Sequence, residues 1–488
     1  MSVLAVDAGT TGVTALVVGQ DGRVLSRGYQ EFAQHFPRPG WVEHEPEEIW
    51  VAVLSACRTA LEGQQVTAVG ITNQRETAVL WDRRTLQPPR RAIVWQDRRT
   101  AELCDRLREA GHESRVAELT GLRLDPYFTA TKLAWLREHD PRSWEGVTSG
   151  RTAVGTVDSY VIARMTAGAR HVTDASNASR TLLLDLRTGA WSDEMCALFD
   201  VPASALPEVV PSWGEVGRTD PVAFLGLDLP IAGIAGDQQA ALFGQGCFEP
   251  GRSKCTYGTG SFVLVTTGDS PVLSNRLLTT IAWTAPDGDI TYALEGAVFV
   301  TGAAVQWLRD GLQLIGSATE VEALARSVPD SGGVVFVPAL TGLGAPHWDP
   351  AARGTLLGIT RGTTRAHLAR ATLDAIAFEV RDVVDAITDE AGCEVPTLQV
   401  DGGASGNDLL CQLQADQLGV PVQRPEVLET TALGAAFLAG LGTGVWSSTD
   451  ELAATWRLDR RFPPTAGIRD DGTHARWMRA VDRAKGWD

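Results

Sequence analysis

The chain runs to 488 residues, 44% of them hydrophobic and 21% charged, too long for one core and long enough for two large domains or three smaller ones. Its 60 acidic residues outnumber 43 basic ones, giving a net charge of −17 with no basic cluster to offset it. That argues against nucleic-acid binding and leaves a small neutral molecule, or an anion screened by a metal ion, as the candidate ligand.

The apolar run Val3 to Val6 predicts a buried strand, and β-branched Val13 to Val18 predicts a second. Asp21-Gly22 is a two-residue hairpin signal leading to a third strand, Arg23 to Arg27. The small-residue turn between the first two therefore sits in a meander, whereas a P-loop or dinucleotide fingerprint would open a helix there. Gly9 and Gly12 let backbone N–H groups approach an anion, and Thr10 and Thr11 add hydroxyls. Asp7 cannot bind phosphate directly but can hold Mg²⁺ or its waters beside one. The plainer alternative is a tight hairpin with a polar tip. Residues 45–63 carry acids in their first turn and apolar residues at 49, 50, 53, 54, 57 and 61, an amphipathic helix ending at Gly63. Strands follow at 66–74 and 91–97, then a helix at 99–110.

Residues 252–267 repeat the opening design around a Gly258-Thr259-Gly260-Ser261 turn. The segments 229–244 and 398–419 also match each other, each an apolar strand, a Gly-rich turn with an acid, and a helix pattern. A long helix is expected at 371–387. Alternating strands and helices say α/β, and the repeated hairpins say duplication. We expect domains at 1–247 and 248–488, parted near 245–252 where Gly246, Pro250 and Gly251 break the pattern. Two such halves gripping a nucleotide between them are the actin-like ATPase plan.

No apolar run approaches the roughly 18 residues of a membrane span, so stable membrane insertion is not expected. The N-terminus shows neither the basic nor the apolar region of a secretory signal. Seven cysteines (Cys57, Cys104, Cys196, Cys247, Cys255, Cys393 and Cys411) form no Cys-x-x-Cys pair, and this odd, scattered set reads as reduced core thiols in a cytoplasmic protein.

Ligands of open α/β sheets sit beyond the carboxyl ends of strands. Those ends offer Arg75 and Glu76 in "TNQRET", Trp95, Tyr127 in "DPYF", and Asp237 and Gln238 in "GDQQ"; Phe262 follows the second hairpin. Hydrogen-bonding groups with aromatic faces suit a small polyhydroxylated molecule. Each has a plainer reading: Arg75 and Glu76 as a surface ion pair, Asp237 as a helix cap, and Trp95, Tyr127 and Phe262 as core. The eight histidines show no metal spacing, and His347 reads as structural.

The stretches "PGWVEHEPEEIW", "GITNQRET", "IVWQDRRTAE", "DPYFTATKLAWL", "GTVDSYVI", "VTDASNASRTLL", "IAGIAGDQQAALFGQ", "TYGTGSF", "YALEGAVFVTGAAVQWLRD", "PALTGLGAPHWDPAARGTLLGITRG" and "VDGGASGND" resemble those of the FGGY carbohydrate kinases, in family order from residue 3 to about 446. The likeness is to the glycerol-phosphorylating branch, with a kinase for another small polyol or ketose as the alternative. It implies two actin-like (ribonuclease H-like) domains with an interdomain catalytic cleft, and transfer of the ATP γ-phosphoryl group to glycerol with Mg²⁺. It implies that Arg75, Glu76, Tyr127, Asp237 and Gln238 bind glycerol hydroxyls, with Asp237 as the catalytic base, and that Trp95 and Phe262 pack on its carbons. It places Thr10, Thr11 and Gly12 at the phosphates, Asp7 toward magnesium, and Thr259, Gly302, Gln306, Gly403 and Asn407 along the nucleotide. An even homo-oligomer, dimer or tetramer, is the family expectation. Thr14 stands where many such members carry an arginine, and Gly12 replaces a common serine. The stretch 219–230 lacks the basic residues through which some members bind fructose 1,6-bisphosphate, and Asp228 stands at the arginine position.

Overall fold

The computed structural model describes residues 1–392 and 394–487; the expected core thiol Cys393 lies outside them. The first sheet has the order Val24–Glu31, Gly12–Gly19, Ser2–Ala8, Val69–Asn73, Pro230–Gly236 and Trp213–Arg218. Its central strand pairs antiparallel with Gly12–Gly19 and parallel with Val69–Asn73. Alternation along a strand sends successive side chains to opposite faces. Leu4 and Val6 accordingly meet the helix Pro46–Ala60 on one face, while Val3 and Ala5 join a second core on the other. The first helix starts where proline occupies its first turn beside Glu47 and Glu48, a favourable set of charges for a helix N-terminus.

The second sheet is ordered Leu278–Thr284, Ile290–Val298, Ser261–Gly268, Ser253–Tyr257, Leu398–Asp401, Val422–Pro425 and Leu458–Phe462. Its pairing repeats the first: an antiparallel meander on one side of Ser253–Tyr257 and parallel Leu398–Asp401 on the other. The expected duplication is real, but one expected correspondence is not. Pro230–Gly236 lies two strands from the centre of its sheet, whereas Leu398–Asp401 lies next to the centre and corresponds to Val69–Asn73. A strand, a glycine turn and a helix form a local pattern shared by several strand ends at a cleft, and only pairing order tells them apart.

The helix Thr430–Gly442 comes from the second half yet packs on the first sheet and on the helix Asp237–Gly244. Glycines allow that approach: a Cβ at Gly70 would stand 2.0 Å from the Ala435 carbonyl oxygen, and one at Gly434 would stand 1.8 Å from that of Ala240. The same core takes Leu264 and Ala293 from the second sheet, so the halves share apolar packing behind the cleft. Elsewhere the expected strand at 91–97 shrinks to Ala92–Ile93, because the chain turns at once to aim Trp95 and Asp97. The long helix extends to Arg365–Ala391, begun by a capping box between Thr364 and His367. In the stretch 219–230, Asp228 accepts from Arg218 Nε at 2.7 Å. Among the described residues no helix is long and apolar enough to cross a membrane, and the six described cysteines are buried and unpaired with one another.

Candidate active site

The two glycine turns are built alike. The Gly9 amide donates to the Gly12 carbonyl at 3.0 Å, and the Gly258 amide donates to that of Gly260 at 2.8 Å. Gly12 is dictated by its neighbour strand: a Cβ there would stand 2.8 Å from the Gln30 carbonyl oxygen and 2.9 Å from the Tyr29 hydroxyl. The helix Gly302–Gln306 rests directly on the second turn, with the Gly302 amide donating to Gly258 at 3.0 Å and the Ala303 amide to Thr259 at 3.1 Å. A cleft of about 440 Å³ lies between the turns, lined by Thr10, Thr11, Arg75, Glu76, Trp95, Tyr127, Asp237, Gln238 and Phe262. A second cavity of about 450 Å³ is lined by Gly302, Gly403 and Asn407, and it shares Gly258, Thr259 and Gln306 with the first. Of the residues expected at the site, only Asp7 and Gly12 line neither; both belong to the first turn just behind Thr10 and Thr11. The Asn407 side-chain oxygen caps the next helix by accepting from the Leu410 amide at 2.9 Å, which leaves its NH₂ group for a ligand.

Arg75 and Glu76 are 2% and 1% exposed, so the surface-pair alternative is wrong. Glu76 adopts a left-handed φ of 61°, a conformation rare for its residue type and held here by packing. Arg75 spends its whole donor fork on the protein. Its Nε reaches Asp237 Oδ1 at 3.0 Å, Nη1 reaches Glu295 and Gln239, and Nη2 reaches Glu295 at 3.1 Å and the Tyr127 hydroxyl at 3.4 Å. Any ligand reaching Arg75 would have to displace one of these partners, and the long Tyr127 contact is the cheapest to give up. Arg180 closes the network, donating to Glu76 at 2.8 Å and to Glu295 at 3.0 Å. Burial pushes the Glu295 carboxyl up, but Arg180 and Arg75 together overcome it and hold it at about 2. Burial pushes the Tyr127 phenol well above its usual range, so it remains a donor. Sequence reasoning missed Glu295 and Arg180; the available signal was a lone acid inside the apolar strand "YALEGAV", which must find a cation once buried.

Asp237 is the first residue of its helix, whose N-cap is Gly236. Its Oδ1 accepts from the Gln238 amide at 2.7 Å and from Arg75, so it is held as an oriented carboxylate rather than as a cap. Trp95 meets Tyr127 and Phe262 edge-on, with ring centroids 5.6 and 6.4 Å apart, and its indole N–H donates to Thr10 Oγ1 at 2.9 Å. Trp95 and Phe262 are only partly buried, which makes them cleft walls rather than core. Tyr127 serves both, being part of the core beneath the cleft.

Asp7 carries a buried Oδ1 with no hydrogen-bond partner. Burial, then the charge of Asp237, pushes its carboxyl up to about 8. Two carboxylates this close, one unsatisfied, fit a hard dication that also takes oxygens from phosphates and water. Among the described residues no cluster of three metal-ligating side chains exists, so the protein alone offers a partial site.

The family models agree with this geometry. Residues 2–244 match the N-terminal domain, and residues 253–443 the C-terminal domain, of the FGGY family of carbohydrate kinases. The chain belongs to that family. Glycerol kinase of Aromatoleum aromaticum is 57% identical to it over 492 positions, covering 99% of both proteins. Glycerol kinase of Deinococcus radiodurans is 52% identical, covering 100% of this chain and 98% of that protein. Among solved structures, Plasmodium falciparum glycerol kinase with ADP superposes with a TM-score of 0.91 at 34% identity, covering 99% of this kinase and 98% of that chain.

Proposed function

We infer that this kinase transfers the γ-phosphoryl group of ATP to a terminal hydroxyl of glycerol, giving sn-glycerol 3-phosphate and ADP. The observation that carries the reading is Asp237, oriented by Arg75 in a polar cleft that opens onto both glycine turns. Full-length identity to glycerol kinases supports the choice of acceptor.

The residues divide the work as phosphoryl-transfer physics requires. A loose transition state needs in-line positioning and charge neutralisation more than covalent help. Glu76, Tyr127, Gln238 and one displaced contact of Arg75 hold the three hydroxyls, while Trp95 and Phe262 cover the carbon face. Asp237 takes the proton of the attacking hydroxyl as its oxygen bonds to the γ-phosphorus and the bond to the bridging oxygen of ADP breaks. Backbone amides of both turns, with Thr10, Thr11 and Thr259, face the phosphates; Gly302, Gln306, Gly403 and Asn407 border the nucleotide. Asp7, with Asp237 beside it, would hold Mg²⁺, which when bound neutralises phosphate charge. Closure of the cleft excludes water, the competing acceptor. We place the enzyme in the cytoplasm, where its unpaired cysteines stay reduced, as an assembly of two or four copies with domains parting near 247.

The test is ATP consumption with glycerol, dihydroxyacetone, erythritol, xylulose and ribulose as acceptors. Glycerol is expected to give the highest kcat/KM; a pentulose preferred over it would overturn the assignment of the acceptor.

A further inference from the structure

Lys254 is a buried cation that none of the roles above uses. It lies on the strand Ser253–Tyr257, which runs straight into the second glycine turn, and it is fully buried. Its Nζ donates to Gln238 Oε1 and, at 2.9 Å, to Thr256 Oγ1. Burial pulls the ammonium down from its ordinary range, while Asp401 and Glu295 favour its charge. Gln238 lies in the part matching the N-terminal family domain and Lys254 in the part matching the C-terminal one, so their bond joins the two halves from within the protein.

An ammonium has donors and no acceptor. The Gln238 carboxamide can therefore turn only its oxygen toward Lys254, and its NH₂ group must point the other way. That group makes no hydrogen bond to the described protein, and Gln238 lines the cleft. An acceptor hydroxyl lying between Gln238 and neighbouring Asp237 then receives a hydrogen bond from the amide. Its own proton is then free to turn to the neighbouring Asp237 carboxylate. Were the amide reversed, its oxygen would compete with Asp237 for that proton.

We propose that Lys254 is a positioning residue that locks Gln238 with its NH₂ group toward the acceptor, so that the reacting hydroxyl gives its proton to Asp237. The proposal rests on the functional reading above for the acceptor, and it adds a residue that touches neither substrate.

A double-mutant cycle tests it, since residues acting through one another are non-additive. Steady-state kinetics are measured for the wild type, Lys254→Met, Gln238→Ala and the double variant, with glycerol and ATP varied separately. Lys254→Met is expected to raise the glycerol KM and lower kcat about tenfold each while leaving the ATP KM within about twofold. In the Gln238→Ala background the same change is expected to add less than about twofold. Gln238→Glu, with Lys254 intact, gains an ion pair but presents only acceptors to the hydroxyl. It is expected to raise Tm and still raise the glycerol KM, and it keeps the test alive if the methionine variant fails to fold. Multiplying effects in the double variant, or a raised ATP KM with an unchanged glycerol KM, would overturn the proposal. An unimpaired Gln238→Glu enzyme would do so as well. If the wild type prefers another acceptor, the functional reading fails, and the same cycle run on that acceptor still decides the role of Lys254.

Discussion

Replacing Glu295 by glutamine removes one charge from the middle of the buried network and leaves Arg75 and Arg180 facing an amide. An ordinary glutamate titrates at 4.5, and this one is held at about 2. At about 1.4 kcal/mol for each tenfold change, that difference corresponds to about 3 kcal/mol of stabilisation. Stranding a buried partner costs about 3–5 kcal/mol by comparison with other proteins, so the two routes agree. For a domain of this size 1 kcal/mol moves Tm by about 2–4 °C, and Glu295→Gln is expected to melt about 6–20 °C below the wild type at pH 7. The sign follows from a depressed carboxyl. Its contribution is fully present above pH 4.5 and is lost as the pH falls through about 2. The gap between wild type and variant should therefore narrow at pH 3.5. Activity should fall at least about tenfold, because Arg75 loses the partner that turns its Nε toward Asp237. Differential scanning calorimetry at both pH values, with kinetics at pH 7, provides the assay. A variant melting within about 2 °C of the wild type and turning over normally would refute the claim that this ion network organises the site.

Asp237→Asn keeps the shape but cannot accept a proton; kcat should fall about 10²–10⁴-fold with ADP binding retained by calorimetry. Trp95→Ala or Phe262→Ala should raise the glycerol KM more than it lowers kcat, whereas lost Tm with unchanged KM would return these rings to the core. The folded protein holds the Asp7 proton up to about pH 8, so metal-free stability should decline as pH rises from the ordinary aspartate range toward 8. Magnesium with ADP should accordingly raise Tm more at pH 9 than at pH 6, and Asp7→Asn should stabilise the metal-free protein while removing that extra gain. Asp228 pairs with Arg218 at 2.7 Å, and residues 219–230 contain no Arg, Lys or His of their own to receive a phosphate dianion. Fructose 1,6-bisphosphate at millimolar concentration, with free magnesium fixed, should therefore not inhibit.

The parts of this fold written in local patterns were legible. Both glycine turns, the Asp21-Gly22 hairpin and the first amphipathic helix rest on residues adjacent in sequence, and each is present. The helix, however, closes at Ala60 rather than Gly63, and the strand after the hairpin runs Val24–Glu31 rather than Arg23 to Arg27. Pairing order was not legible, because the strands Pro230–Gly236 and Leu398–Asp401 end in the same local chemistry and differ only in their neighbours. The packing of the helix Thr430–Gly442 on the first sheet was not legible either, since that close approach depends on Gly70, far away in the sequence. In the site, residues at strand ends were found and residues inside strands were not. Glu295 and Lys254 sit in β-branched or apolar surroundings, where pattern reading assigns packing.

That division has a physical cause. A group that touches ligand must reach the cleft surface, and strand ends are where the backbone lets it. A group that orients such residues must lie beneath them, where burial makes charge costly unless it is paired. Here three buried cations, Arg75, Arg180 and Lys254, stand among Glu76, Glu295, Asp237, Asp401 and Asp7. The cations lean on Glu76, Glu295 and Asp237, and Asp7 is left with an unpaired buried oxygen. Burial holds that carboxyl in its protonated form up to about pH 8, so negative charge appears there only when a dication takes the place of the proton. A phosphate alone gains nothing from the protonated carboxyl, whereas a dication gains the oxygen once the proton leaves. Binding of a metal-bound nucleotide is therefore expected to release the Asp7 proton, which is what the comparison of Tm gains at pH 6 and pH 9 reads.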